Sequence, residues 1–253
     1  MSARFESHTV RAGALVTAGL LVVTLLAGCS EQQPADRQTA SQQPSGEHSV
    51  SDPGSSSPRP LVDGADTPLA PGTYQLGYRL VAADDVVPEA FVTVPSGYRE
   101  VATWYVVSDD GHEYLGLWTA AEADRDACRH GEQDVYDPGP SVDELARALV
   151  ATKSIRATEP EPVTLAGYQG QYVELAGPRH LNRCGDPKAG LWTSADGGRG
   201  IYNDGQVDLV WILDADGQRI VVNAAYSAGS TASDIHKLTA MVESLEFVPA
   251  AQG

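Results

Sequence analysis

The sequence predicts an α+β fold. An antiparallel β-sheet is packed with two main helices, and a signal peptide and a disordered tether precede it. Three observations lead there. From residue 72 onward, runs rich in β-branched and aromatic residues alternate with turns containing Gly, Pro and Asp, the pattern of short strands joined by hairpins. Two segments, after Ser141 and after Thr231, instead carry apolar residues at helical spacing. Strands followed by a helix, twice over, point to an antiparallel sheet covered by helices.

The first segment is an address rather than structure. Arg4 and Arg11 supply a positive start, and the apolar run Ala12–Ala27 is shorter than the ~20 residues that span a bilayer. It ends in Leu26-Ala27-Gly28-Cys29, which resembles the bacterial lipobox. That resemblance implies a diacylglyceryl group on Cys29, which becomes the mature N-terminus. Two or more acyl chains anchor stably where one does not. The expected location is the extracytoplasmic face of the cell membrane, with the membrane itself as a partner through the lipid.

Charge agrees with a lipid anchor and excludes several roles. The chain has 253 residues with 34 acidic and 17 basic, a formal charge of −17. Removing residues 1–28 takes away Arg4, Arg11 and Glu6, so −17 becomes −18. Nucleic acid is not an expected partner, because phosphate binding is driven by Lys and Arg. Anionic head groups would repel the polypeptide.

Residues 29–70 comprise the lipidated Cys and a spacer rich in Ser, Pro and Gln. From Ser30 to Ala70 there is no aromatic residue. Stretches such as Ser55-Ser56-Ser57-Pro58-Arg59-Pro60 bury too little apolar surface to offset chain entropy. Residues 71–253 then form one domain, long enough for a sizeable core.

Within it, Gly72–Val81 and Phe91–Pro95 read as the first strands, the second closed by Pro95-Ser96-Gly97. Glu100–Ser108 and Glu113–Thr119 follow, with Asp109-Asp110-Gly111 as a hairpin signal. Ser141-Val142-Asp143-Glu144 is a capping box, after which Val142, Leu145 and Leu149 share a helix face. Val163–Leu165 and Gln169–Leu175 form a hairpin around Gly167. Gly190–Thr193, Gly200–Asn203, Val207–Leu213 and Arg219–Tyr226 continue the sheet. Gly197–Gly200 reads as a hairpin loop, and Asp214-Ala215-Asp216-Gly217 as a type I′ turn. A helix of about 15 residues from Thr231 carries the stripe Ile235, Leu238, Met241 or Val242, and Leu245. Gly116-Leu117-Trp118-Thr119 recurs as Gly190-Leu191-Trp192-Thr193, a repeat short enough to be coincidence.

A family resemblance rests on longer segments. Phe91–Tyr98 is similar to the "FTVPxGW" segment of many actinobacterial lipoproteins, with Tyr98 where that motif usually has Trp. Gly205–Gly217 looks like a "GQVDxxWILDxDG" segment of similar exported proteins, and Asp137–Asp143 lies between the two. The arrangement also resembles Mog1p/PsbP-like (LpqN-like) lipoproteins. The resemblance implies an antiparallel sheet between helices and a cell-envelope role. It supplies no catalytic residue.

Candidate chemistry is sparse. Cys128 and Cys184 are an even pair in an oxidising compartment, and a disulfide is expected. A zinc site from Cys128, His130, His180 and Cys184 matches no usual spacing. A redox pair lacks Cys-x-x-Cys. As a calcium loop, Asp214–Gly217 fails, because Gly falls fourth and Ala225 occupies the twelfth position. No metal and no cofactor is expected. There is no Gly-x-Ser-x-Gly elbow and no phosphate loop.

The aromatic residues remain. Trp104, Trp118, Trp192 and Trp211 fall in or beside strands. Core packing accounts for most strand aromatics. A ligand site, if built from them, is expected near Trp118, Trp192 and Tyr202. The expected function is a non-catalytic module binding an envelope protein or a small apolar or glycan ligand. An envelope hydrolase is the alternative, and a calcium-dependent surface protein the third reading.

Overall fold

Nearly continuous apolar runs, buried on both faces, set the central layer of the protein. The computed structural model describes residues 57–79, 85–129, 134–184, 188–194 and 197–250. The expected signal peptide, Cys29, the first part of the tether and His130 lie outside the described residues. In chain order the strands are β1 (Arg59–Pro60), β2 (Thr67–Pro68), β3 (Gly72–Leu76), β4 (Glu89–Val94), β5 (Tyr98–Ala102), β6 (Tyr105–Ser108), β7 (Glu113–Trp118), β8 (Glu122–Asp124) and β9 (Val135–Tyr136). Helix α1 (Val142–Ala151) follows, then β10 (Arg156–Ala157), β11 (Glu161–Leu165), β12 (Tyr168–Ala176), β13 (Ala189–Ser194), β14 (Gly197–Ile201), β15 (Val207–Ala215) and β16 (Gln218–Tyr226). Helix α2 (Ala232–Glu243) and β17 (Glu246–Val248) close the chain.

Nine strands make the central sheet, in the order β10-β12-β15-β16-β7-β6-β5-β2, with β11 also paired to β12. In β15, Leu209, Leu213 and Ala215 enter one core while Val210 and Ile212 enter the other. In β16, Ile220, Val222 and Ala224 face the first core and Val221 the second. Both faces of the sheet are therefore buried, which is why these strands read as nearly continuous apolar runs.

The first core lies under α2 and the sheet β1-β3-β4-β17, with Tyr74, Val92, Leu238 and Met241 packed on Leu115 and Leu117. The second lies under α1 and the sheet β14-β13-β8-β9, with Leu145, Leu149, Leu191 and Trp192 packed on Val173 and Ile212. The antiparallel α+β architecture with two helices is the one the sequence predicts.

Local signals place most elements. Ser141 caps α1: its Oγ accepts from the Glu144 N–H, and its own N–H donates to Glu144 Oε2 at 3.0 Å. Thr231 and Asp234 form a second capping box on α2, a signal missed because Asp stands in the usual Glu position. Asp216 and Gly217 have φ of 56° and 93°, the pair of positive values that a type I′ turn requires.

Three expectations are corrected. Glu100–Ser108 is not one strand: β5 and β6 turn back at residues 103 and 104. No Gly or Pro marks that turn. It is held from outside, by the Gly77 N–H on Thr103 O at 2.7 Å and by the Thr103 N–H on Asp63 Oδ1 at 2.9 Å. Second, residues 57–70 are not all spacer. β1 runs parallel to β3, β2 pairs with β5, Leu61 is buried, and Asp66 pairs with Arg99 at 3.3 Å. Backbone pairing and two apolar anchors, Leu61 and Leu69, hold this strap despite its polar composition. Third, Gly197–Gly200 is strand rather than loop. It pairs with β13 because glycines allow a close approach: a Cβ at Gly198 would meet Trp192 O at 2.7 Å.

Candidate functional site

Trp118 and Trp192 are core residues, and Trp104 and Trp211 pack against the cores partly buried. β7 and β13 bring Trp118 and Trp192 together edge to face, with ring centroids 5.8 Å apart. The repeated Gly-Leu-Trp-Thr segments thus supply two rings that meet in the second core. Trp104 joins them at 4.6 Å from Trp118. Trp118 and Trp192 are 2% and 0% exposed, so neither reaches a ligand at the surface. This corrects the expected site. Of the three residues named for it, Tyr202 alone is exposed.

Beneath Tyr202 lies a polar network that the sequence reading missed. Arg199, buried on β14, donates to Asp208 Oδ1 through Nη2 at 2.5 Å and Nε at 3.0 Å. Nε also points at Asn223 Oδ1, at 2.5 Å. Asn223 Nδ2 donates to Asp208 Oδ1 at 3.1 Å, and Gln206 Nε2 to Asp208 Oδ2 at 2.6 Å. The guanidinium also stacks over the Tyr114 ring, 4.4 Å from its centroid. Burial alone would pull the Arg199 pKa down; the Asp208 charge and then Tyr114 outweigh it, and the net direction is up. Burial pushes the Tyr114 phenol up, against the opposing pull of Arg199. Asp208 and Asn223 are single polar residues inside apolar runs, and that was the available signal. The network closes on itself, so its role is to lock β14 onto the central sheet.

A surface site lies elsewhere, around Arg219. A cleft of about 650 Å³ runs between the start of α1, β11 and β12. Two neighbouring hollows of about 420 and 200 Å³ share Pro140 and Arg219 with each other. Arg219 itself lines all three. The floor of the main cleft is Pro140, Val142, Pro162 and Val163, and its hydrogen-bonding groups are Asp143, Thr164, Gln169, Gln171, Asp214 and Arg219.

Arg219 is fixed by carbonyls alone. Nη1 donates to Gly139 O and, at 3.0 Å, to Ser141 O; Nη2 donates to Ala120 O at 2.7 Å. Partial burial lowers its pKa, which the charges of Asp137 and Glu144 oppose. Gln171 Nε2 donates to Asp143 Oδ1 at 3.0 Å, tying β12 to the first turn of α1. Amides and carboxylates at a half-apolar cleft suit hydroxyl groups, which both donate and accept.

Other candidate chemistry is assigned structurally. Cys128 and Cys184 are joined by a disulfide, with Cα atoms 4.5 Å apart, so neither is a metal ligand. His180 pairs with Asp204 at 3.5 Å. Asp214 Oδ1 accepts from the Gly217 N–H at 2.7 Å within the hairpin turn. His112 Nδ1 lies 2.7 Å from Ser227 Oγ, but Ser227 is buried and the pair is outside the Arg219 clefts.

No family model matches the chain, and no curated protein matches it. Among solved structures it is similar to LpqN of Mycobacterium tuberculosis, described as involved in cell envelope biogenesis. Identity is 11%, the match covers 70% of this chain and 91% of that one, and the TM-score is 0.37. A likeness of that size carries no inference about function.

Proposed function

We propose that the protein is an exported, lipid-anchored binding module of the cell envelope, not an enzyme, and that its Arg219 cleft binds a glycan. The observation that carries the reading is the cleft wall. Asp143, Gln171 and Arg219 are held in place by hydrogen bonds, beside an apolar floor. Preorganised planar polar groups of this kind suit a neutral, hydroxyl-rich ligand. The lipobox at Cys29 and the acidity of the chain support export and attachment through lipid rather than charge.

Two experiments test it. Soluble cell-wall glycan fragments are titrated against the protein by calorimetry, with Gln171→Ala as the altered cleft. Saturable binding that weakens about tenfold in the variant is expected. Equal binding by both, or none by either, removes the cleft from consideration. Cys29→Ala is expected to move the protein out of the membrane fraction, and retention there would reject the anchor.

A further inference from the structure

On the α2 side of the central sheet, away from the Arg219 cleft, β7 begins with a buried carboxylate. Glu113 pairs with Tyr226 on β16 and alternates with Tyr114, so its side chain shares a face with Leu115 and Leu117. It is 3% exposed. Its backbone N–H donates to Ser108 Oγ at 2.9 Å, but no protein group hydrogen-bonds its buried Oε1. A buried acceptor without a donor is costly, and an ionised one more so.

Glu113 lines a pocket of about 240 Å³ with Tyr98, Asp109, Asp110, Asp234 and Lys237. Two neighbouring carboxylates are engaged. Asp110 Oδ1 accepts from Ser108 Oγ at 2.7 Å and the His112 N–H at 3.2 Å. Asp234 accepts from Thr231 and from Lys237, whose Nζ is 3.1 Å away. The pocket thus combines four carboxylates with one amine, and the buried Oε1 of Glu113 has no protein donor.

We propose that this pocket receives an N–H cation, the ammonium or guanidinium group of an organic ligand, which donates hydrogen bonds to Glu113. A metal ion is a poorer fit, because no group of three or more His, Cys, Asp or Glu among the described residues is placed to hold one. Calcium takes six to eight oxygens, whereas an N–H cation needs one or two acceptors and brings its own donors. Lys237, half exposed and paired with Asp234, supplies the one cation already at the pocket and so competes with an added one.

The test titrates the full chain with n-butylammonium and n-butylguanidinium, and with n-butyltrimethylammonium as a cation of equal charge lacking N–H donors. Binding is followed by NMR at Glu113, Tyr98 and Asp109. At least one N–H probe is expected to bind about tenfold more tightly than the trimethyl probe, and whichever binds better identifies the head group. Glu113→Gln is expected to weaken that binding at least about tenfold while raising the unfolding temperature. Lys237→Met keeps the pocket and removes the competitor, so binding should tighten. Equal binding of all three probes would reduce the pocket to a diffuse acidic patch and overturn the proposal. Unchanged affinity in either variant would overturn it as well.

Discussion

Asp208 in β15 receives the guanidinium of Arg199 from β14 at 2.5 Å, and the two side chains are 0% and 5% exposed. The pair crosses between two sheets, so it fixes where β14 sits on the second core. Isolating either charge there costs about 3–5 kcal/mol, whereas replacing both by apolar groups of similar size is often neutral. Asp208→Leu is therefore expected to lower unfolding free energy by about that amount. Arg199→Met with Asp208→Leu should regain most of the loss. Urea denaturation followed by Trp fluorescence measures both. A double variant no better than the single one would show that the packing of β14, rather than its charge pairing, sets the energy.

Sheet, helices and the cap of α1 were legible because their signals are local: the apolar runs of β15 and β16, the Asp216-Gly217 turn, the Ser141 capping box. What was not legible depends on partners distant in sequence. The turn at Thr103 is held by Gly77 and Asp63, and the strap at 57–70 by β3 and β5. Neither leaves a mark in its own residues. At the site, the strand Trp residues pointed away from the cleft, whose lining includes none of Trp118, Trp192 and Tyr202. Trp118 and Trp192 fill the core, and only burial distinguishes that from a binding face. Arg219 gave no sign in sequence, because its partners are three backbone carbonyls.

The disulfide joins cysteines 56 positions apart, the short helical turn at Ala127–Arg129 to that at Leu181–Cys184. Closing a loop of that length removes denatured-state entropy equivalent to about 4 kcal/mol. Cys128→Ser with Cys184→Ser is expected to lower stability by an amount of that order, read as a shifted urea midpoint. Thiol labelling of the unreduced protein should find both sulfurs protected.

Asp234 reports on the start of α2. The Thr231 hydroxyl, then Lys237 and the Thr231 N–H, hold its carboxyl down at about 2. A folded value below the unfolded one of ~3.9 means that the contribution is fully present above that pH. It is lost as pH falls from about 4 towards 2. An NMR titration should place the Asp234 midpoint near 2 and find it raised in Thr231→Ala. An unchanged midpoint in that variant would assign the depression to Lys237 instead.

Arg219 is expected to control the order of the loop before α1. Its fork holds Gly139 and Ser141 on one side and Ala120 on the other, and Ser141 is also the helix cap. Lys carries one compact ammonium and cannot span those carbonyls as a planar fork does. Arg219→Lys should therefore leave at least one carbonyl short of a donor, at about 1–3 kcal/mol. The loss should be local. Amide exchange is expected to quicken across residues 137–145 while β15 and β16, paired along nine residues each, keep their protection. Glycan affinity at the cleft should fall in parallel, because Asp143 moves with that turn. Faster exchange without a change in affinity would separate the loop's stability from ligand binding, and would assign recognition to the β11–β12 side of the cleft.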